Sequence, residues 1–240
     1  MRKAMRRLFR GRGRAGEGTR QPAPADPDGL VPVVKLTFLS DRPRPAAALA
    51  AAFIVLASTA ASLAYWRADP NADFPLVATG NAVFSKHEIW RLVTTVFVHS
   101  GPEHLLANTL LLIVLSYLLF GYYGWLVFPG LALAGATAAN WVALLTYPPE
   151  IRLMGASGMV YWMGAFWLSL YIAIDTRIGV GGRLLRAVGF ALAIFFPTTF
   201  SPGVSYRTHA FAFALGLAAA LPYFLANRRR FREAEQVVLE

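Results

Sequence analysis

A serine set among small residues is the first side chain in this sequence whose surroundings suit chemistry. Ser157 lies in the run GASG at 155–158, which opens a stretch of 20 uncharged residues, 155–174. Such a stretch is long enough to cross a lipid bilayer as a helix. A serine hydroxyl is inert until a base takes its proton, and His209 is the candidate base because an imidazole titrates near neutral pH. These two residues predict nucleophilic catalysis by a serine.

Two further polar residues can stabilise the charge that such a reaction develops. His104 and Asn108 are four residues apart, so they share one face of a helix. Their side chains can donate hydrogen bonds to a developing oxyanion, together with the backbone N–H of Ser157 at the helix start. Gly158 removes a side chain beside the serine, which leaves space for another helix or for a substrate backbone. The pattern favours acyl transfer.

One residue can fix the orientation of the His209 ring, whereas no acidic residue lies close enough to complete a catalytic triad. Tyr161 follows Ser157 by one helical turn, where its ring can pack against His209. Asp175 lies 18 residues after Ser157, which is roughly 27 Å along a helix. We therefore expect a Ser157–His209 dyad rather than a triad.

Six apolar stretches have the length to position these residues in a membrane. The chain is 56% hydrophobic and 15% charged, a balance too apolar for an ordinary soluble domain and typical of several membrane spans. The predicted spans are residues 46–66, 104–122, 125–146, 155–174, 184–200 and 209–226. We therefore predict an all-α polytopic membrane protein, with a bundle of six transmembrane helices within residues 45–227. The fifth span is short and contains Pro197.

Basic segments flank this bundle and predict its orientation. Residues 1–44 are rich in Arg, Gly, Pro and Ala without sustained periodicity, which predicts a mostly disordered basic tail, and residues 228–240 form a second, short tail. With six spans, 18 of the 23 Lys and Arg residues fall on the side of both termini and 5 on the other. Positive charge marks the cytoplasmic side, so both termini are predicted to be cytoplasmic.

With that orientation, the candidate residues reach one depth from three different helices. Spans two, four and six all begin on the outer side, and their first turns carry His104, Asn108, Ser157 and His209. Polar side chains inside a membrane are costly and tend to pair or to line a wet cavity. The four residues are spread over 105 residues of sequence but lie at the same depth in the membrane. This shared depth predicts a site in the outer leaflet.

The same residues resemble the rhomboid family of intramembrane serine proteases. The residues that carry the resemblance are His104-x-x-x-Asn108, the GASG run at 155–158, His209 on a later span, and Trp90-Arg91 in the first long loop. The resemblance covers residues 46–226. It implies a six-helix rhomboid-like bundle in which the fifth span is a lateral gate. It further implies a Ser157–His209 dyad, an oxyanion site from His104 and Asn108, and cleavage of peptide bonds in or near transmembrane segments.

Several neighbours take supporting roles in this interpretation. They are Gly155, Gly158, Tyr161, Trp90 and Arg91, and His99 also stands where rhomboids often carry a histidine. The last span departs from the family pattern Ala-His-x-x-Gly-x-x-x-Gly, because Thr208 precedes the histidine and Ala212 replaces the first glycine, while Gly216 matches. Alanine is small enough that we expect this span to pack closely on span four through Ala212, Gly216 and Ala220.

Two other classes of function remain open at this point. An inactive rhomboid-like protein would bind transmembrane helices without cutting them, and the presence of both dyad residues argues against it. A small transporter or channel would use the histidines as a proton or ion path, but polar residues would then continue toward the cytoplasmic leaflet. Spans three and four carry almost none there, which argues against transport.

The expected partners follow from the same composition. We expect transmembrane protein substrates and the lipid bilayer as partners, and neither nucleic acid nor a cofactor or metal. The basic residues lie beside apolar segments without interleaved aromatics, which favours anionic lipid over nucleic acid. Compactness and the lack of organelle-targeting features lead us to expect a multi-pass protein of a bacterial plasma membrane. The sequence does not predict the oligomeric state.

Overall fold

The structure is a computed structural model that describes residues 30–69, 72–195 and 205–240. Its helices are α1 (Ala47–Arg67), the short α2 (Arg91–Thr94), α3 (Pro102–Tyr123), α4 (Ala132–Leu144), α5 (Ser157–Ile174), α6 (Val180–Phe195) and α7 (Tyr206–Glu233). Shorter helical turns lie at Phe38–Ser40, Asn81–Ser85, Thr95–Phe97 and Leu126–Leu131. Two strands, β1 (Pro32–Leu36) and β2 (Gln236–Leu239), lie near the ends of the chain.

Five described segments are long and apolar enough to cross a membrane. They are Ala47–Arg67, Pro102–Tyr123, Leu126–Leu144, Ser157–Ile174 and Tyr206–Glu233. A mostly helical protein with several membrane spans is therefore confirmed. The predicted fifth span differs in its bounds, since α6 begins at Val180 rather than at 184 and has 16 residues up to Phe195. Pro197, which the sequence placed inside that span, lies outside the described residues.

Helix α5 is the central element of the bundle. It packs against α3, α4, α6 and α7, and it is apolar all round because each face meets another helix. Trp162 is buried against α4, where a Cβ on Gly135 would collide with its indole ring. On the opposite helix, a Cβ on Gly216 would collide with the Trp162 carbonyl oxygen. Small residues thus let two neighbouring backbones approach α5 closely.

The small-residue face of α7 packs as the sequence predicted. Ala212 and Ala220 are buried, at 0% and 2% exposure, and Gly216 lies between them against α5. Alanine in place of the first family glycine is therefore accommodated at this contact.

One side of helix α6 is buried in the bundle, at Ala187 and Phe195. It packs on α5, where the Phe195 ring occupies the space that a side chain at Gly164 would need. Along the rest of the helix, Leu185 and Leu192 are 75% and 59% exposed. Exposed leucines suit a surface that faces lipid.

Residues 30–44, part of the predicted disordered tail, include strand β1, and the short C-terminal tail includes strand β2. Strand β1 pairs antiparallel with β2, and Lys35 forms an exposed salt bridge of 2.6 Å with Glu240. Helix α7 continues to Glu233, seven residues past the predicted end of its span. The pairing joins segments about 200 residues apart in sequence, so no local pattern announces it. Residues 1–29 lie outside the described part.

Residues 30–44 and 228–240 lie at the end of the bundle opposite Ser157. The backbone N–H of Arg44 donates to the Gly121 carbonyl at 3.2 Å, and the Tyr122 hydroxyl donates to Leu39 O at 3.2 Å. Arg230 of α7 donates to the Tyr122 carbonyl at 3.3 Å. The segment before α1, the end of α3 and the end of α7 therefore meet on one side.

Candidate active site

Ser157 is the first residue of α5 and lies at an uncapped helix start. Ala156 occupies the N-cap position, where its methyl group cannot accept a hydrogen bond. The first backbone bond of the helix runs from Val160 N–H to Ala156 O at 2.9 Å. The N–H groups of Ser157 and the next two residues therefore precede the helical ladder and form the positive end of the helix dipole. Such a group of donors can hold an anion beside the half-buried Ser157 side chain.

The turn before the serine requires glycine at position 155. Gly155 has φ +119°, a conformation that side chains disfavour. A Cβ there would lie 2.7 Å from His104 Cε1 and 2.8 Å from its Nε2. The His104 imidazole thus lies directly on the backbone two residues before the serine.

His104 and Asn108 lie on one face of α3, as their spacing predicted. The Ser100 hydroxyl is 3.1 Å from His104 Nδ1. When that hydroxyl donates, His104 carries its proton on Nε2, the ring nitrogen nearer Gly155, and becomes a donor toward the helix start. Asn108 donates one amide hydrogen to the His104 carbonyl at 2.9 Å, and a second hydrogen remains on the same nitrogen.

His209 lies in the first turn of α7 with its ring against α5. It is 6% exposed, and its ring stacks on Tyr161 with centroids 4.0 Å apart at 15°. Tyr161 in turn donates to the Phe195 carbonyl of α6 at 3.2 Å. The predicted packing of Tyr161 against His209 is thereby confirmed.

The hydroxyl that Thr208 adds beside the histidine is bonded within the cap of α7. Thr208 Oγ1 is 2.6 Å from Ser205 Oγ, which also receives the Thr208 N–H at 3.4 Å and lies 3.1 Å from the Tyr147 hydroxyl. The Thr208 methyl group faces α5, 3.0 Å from where a Cβ on Gly158 would lie. Gly158 therefore provides the space that threonine needs. Neither Ser205 nor Tyr147 was predicted from the sequence, although a serine at a helix start is a known capping signal.

The hydrogen bond expected of a serine–histidine dyad is not closed in this structure. His209 Nε2 is buried and makes no hydrogen bond among the described residues. Such bonds are often long before substrate binds. Asp175, at the far end of α5, is bound through both oxygens by Arg177 at 2.7 and 2.8 Å. That hydrogen bond lowers the pKa of the carboxyl group and fixes it away from the site.

The loop before Ser157 is held by Thr95, a residue that no sequence pattern marks as functional. Thr95 is 1% exposed, and its hydroxyl donates to the Leu153 carbonyl while it accepts from the Ala78 N–H at 3.3 Å. The Thr95 carbonyl accepts from Gly155 N–H at 3.0 Å, and Leu153 N–H donates to Ala78 O at 2.8 Å. A threonine in an apolar loop carries no pattern that would reveal these contacts.

The two residues of the predicted Trp90-Arg91 pair have different environments. Trp90 is half exposed, whereas Arg91 is buried and binds Asp73 Oδ1 at 2.8 Å, Glu88 Oε2 at 2.6 Å and the Phe74 carbonyl at 2.8 Å. The hydrogen bond from Arg91, with that from Lys86, lowers the pKa of Asp73. Arg91 thus fixes the loop that leads into Ala78 and reaches the serine only through intermediate contacts.

His99 contacts the same loop directly. It is fully buried, and its Nε2 accepts the Ala156 N–H at 3.2 Å. Its Nδ1 lies 3.2 Å from Ser62 Oγ on α1, and the Trp66 indole donates to its carbonyl at 2.8 Å. Burial, together with the nearby His104, lowers the pKa of His99 to about 4, so its imidazole is neutral at neutral pH.

Comparison with known proteins places this part of the chain in a family. The family model of the rhomboid domain matches residues 86–226, more than half of the chain. Rhomboid-related protein 2 of Mus musculus is 33% identical over 136 residues, which cover 52% of this chain and 44% of the mouse protein. The aligned part thus spans less than half the length of that relative. With the rhomboid domain covering the helices that hold Ser157 and His209, the chain belongs to the rhomboid family, most of whose members are intramembrane serine proteases.

Proposed function

We propose that this protein is an intramembrane serine endopeptidase that uses a Ser157–His209 dyad. The observation that carries the proposal is the position of Ser157 at the uncapped start of α5, between two histidines. His104 packs on the turn just before the serine, and His209 stacks on Tyr161 one turn after it. Ser157, His209 and amide N–H groups that have no partner among the described residues therefore lie at one end of the bundle, which supports this proposal.

The chemistry proceeds in two steps. His209 Nε2 takes the Ser157 proton as Oγ forms a bond to the substrate carbonyl carbon, and the negative charge moves to the carbonyl oxygen. Donors from His104, Asn108 and the Ser157 N–H hold that oxygen. His209 then returns the proton to the leaving amine as the C–N bond breaks. Water attacks the acyl ester and gives a proton to His209, which passes it to Ser157 Oγ as the ester C–O bond breaks and the carboxylic product leaves.

The substrates in this proposal are transmembrane segments of membrane proteins. A carbonyl inside a helix is already hydrogen-bonded, so the segment must unwind near the outer surface before it reacts. Substrates should therefore carry helix-weakening residues and small side chains near the cut. We assign entry to the space between α3 and α6, with α6 as a sixth transmembrane helix that moves aside. The contact of α6 with α5 and its exposed leucines support this assignment.

The orientation in this proposal has both termini in the cytoplasm. Arg228, Arg229 and Arg232 end α7 on the side where β1 and β2 pair. Basic residues beside an apolar span favour a leaflet with anionic lipid. The site at the other end of the bundle would then open toward the outer surface.

One observation favours a second candidate, an inactive rhomboid-like protein that binds transmembrane helices without cutting. His209 Nε2 has no hydrogen-bond partner among the described residues, as would be found if the dyad never closed. The same geometry is common in proteases before substrate binds, so we rank proteolysis first.

Covalent labelling with a fluorophosphonate separates the two candidates. Purified protein in detergent should label at Ser157, and labelling should disappear in Ser157→Ala and in His209→Ala. Ser169→Ala is the matched control, because Ser169 lies on the same helix with its hydroxyl bonded to the Ala165 carbonyl at 2.8 Å. The same variants are then compared for cleavage of a helix with a weakened centre. Equal cleavage by wild type and Ser157→Ala would refute the dyad.

A further inference from the structure

The contacts of His99 settle which of its nitrogens carries the proton. Ala156 contributes a backbone N–H, which can only donate, so His99 Nε2 must accept it and carry no hydrogen. The proton of the neutral ring therefore lies on Nδ1, which points at Ser62 Oγ. The acceptor at Nε2 and the donor at Nδ1 are both partnered.

Ser62 is equipped to accept that proton rather than to compete for it. Its hydroxyl hydrogen can be donated to the Phe97 carbonyl at 3.3 Å, which leaves its oxygen free to accept. The oxygen receives the His99 backbone N–H at 3.0 Å and the Nδ1–H at 3.2 Å. Ser62 itself is 0% exposed, so water does not replace these bonds.

We infer that Ser62 and His99 are positioning residues that fix the amide before the nucleophile and so aim the oxyanion donors at the start of α5. The inference rests on the proposed function and adds a connection from α1 to the site. Ala156 has no side-chain oxygen with which to cap α5, so the orientation of the first turn is set from outside. His99 supplies that constraint on the Ala156 amide, and Thr95 supplies one on the Gly155 amide.

The opposite tautomer would reverse the interaction. With the proton on Nε2, two N–H groups would face each other at Ala156, and the turn before Ser157 would have to shift. Ser62 excludes that state as long as its hydroxyl hydrogen is bonded to Phe97. Burial also keeps His99 from gaining a second proton at neutral pH, because its pKa is lowered to about 4.

The first test compares two serines on one face of α1. Ser62→Ala removes the hydroxyl oxygen that accepts from His99 Nδ1. Ser58→Ala is the matched control, since Ser58 is 1% exposed, lies one turn away, and has no hydrogen-bond partner for its hydroxyl among the described residues. We expect Ser62→Ala to lower the fluorophosphonate labelling rate about tenfold, which corresponds to the loss of roughly one hydrogen bond. The kcat for a helix substrate should fall by the same factor, and KM should stay unchanged. Ser58→Ala should label like wild type. Equal rates in both variants, whether both fall or neither does, would overturn the inference.

The second test replaces His99 itself. His99→Gln can place an amide oxygen near the position of Nε2 and accept the Ala156 N–H, whereas His99→Leu cannot. We expect Gln to recover most of the labelling rate that Leu loses, and equal loss in both would contradict the positioning role.

A spectroscopic measurement keeps the inference testable if variants fold poorly. The chain has four histidines, so 15N-histidine labelling gives a simple spectrum, and the signal missing in His99→Gln identifies His99. We expect it to report protonated Nδ1 and bare Nε2. A protonated Nε2 would overturn the inference even in an active enzyme. If the wild-type protein fails to label with fluorophosphonate, the proposed function fails, whereas the tautomer and its dependence on Ser62 are still measured.

Discussion

Replacing Gly155 by alanine tests the geometry of the site most directly. The φ of +119° disfavours any side chain, at a cost of about 1–3 kcal/mol. The new methyl group would also lie 2.7 Å from His104 Cε1, so the imidazole or the turn must move. Because His104 is the assigned oxyanion donor, we expect Gly155→Ala to slow acylation of Ser157 by about 10²–10³-fold, as for loss of one such donor. The free energy of unfolding should fall by about 1–3 kcal/mol.

The assay is the rate of fluorophosphonate labelling, with thermal unfolding in detergent measured on the same samples. Gly189→Ala is the matched control, because a Cβ on that glycine of α6 meets open space. A double-mutant cycle with His104→Ala isolates the clash, since removing the ring should recover part of the lost stability. Wild-type labelling by Gly155→Ala would refute the reasoning. Strict additivity of the two unfolding free energies would show that His104 does not press on the turn.

Three further predictions concern neighbouring residues. The pKa of His99 falls from 6.5 to about 4 on folding, so its contribution to stability is complete above pH 6.5 and decreases as pH falls toward 4. Over that window wild type should lose about 3 kcal/mol more than His99→Gln, at 1.4 kcal/mol per pKa unit, and parallel pH curves in detergent unfolding would contradict this. Thr208→Ala should reduce the free energy of unfolding by about 1 kcal/mol, because it removes the hydroxyl bonded to Ser205 in the helix cap. The labelling rate should stay within about threefold of wild type, because substitutions outside the chemistry usually have small effects. A larger drop in the labelling rate would place Thr208 in the catalytic geometry. Phe195→Ala should loosen α6 from Tyr161. It should raise the rate at which helix substrates are cleaved more than the rate at which the small fluorophosphonate labels Ser157. An equal change in both rates would argue against α6 as the entry gate.

The terminal sheet and α6 show where local pattern was insufficient. The sequence predicted residues 32–36 as part of a mostly disordered basic tail, whereas in the structure they pair with β2 from the C-terminal segment. Strands so far apart in sequence can pair only if the bundle brings the start of α1 and the end of α7 together. The packing of the whole bundle decides this, not the sequence near either strand. Helix α6 begins at Val180, before Arg183, whereas the sequence predicted a start just after that charged residue, at 184. An arginine in the first turns of a membrane helix can extend its charged group to the membrane surface.

The sequence by itself determined the apolar spans, the charge asymmetry and the small set of residues suited to acyl transfer. These features can be predicted because each depends on a short stretch of sequence: the helical period, the number of residues that cross a bilayer, and the chemistry of single side chains. It also contained Gly155 and Gly158, whose lack of a side chain is meaningful only next to His104 and Thr208.

Only the tertiary structure decided how the start of α5 is held. Thr95, His99 and Ser62 reach that turn from α1 and the loop after it, through hydrogen bonds that span 37 to 58 residues. Hydrogen bonds of this kind depend on direction and on a match of donor to acceptor within a few tenths of an ångström. No sequence spacing encodes that match, because it arises only when separate helices have packed.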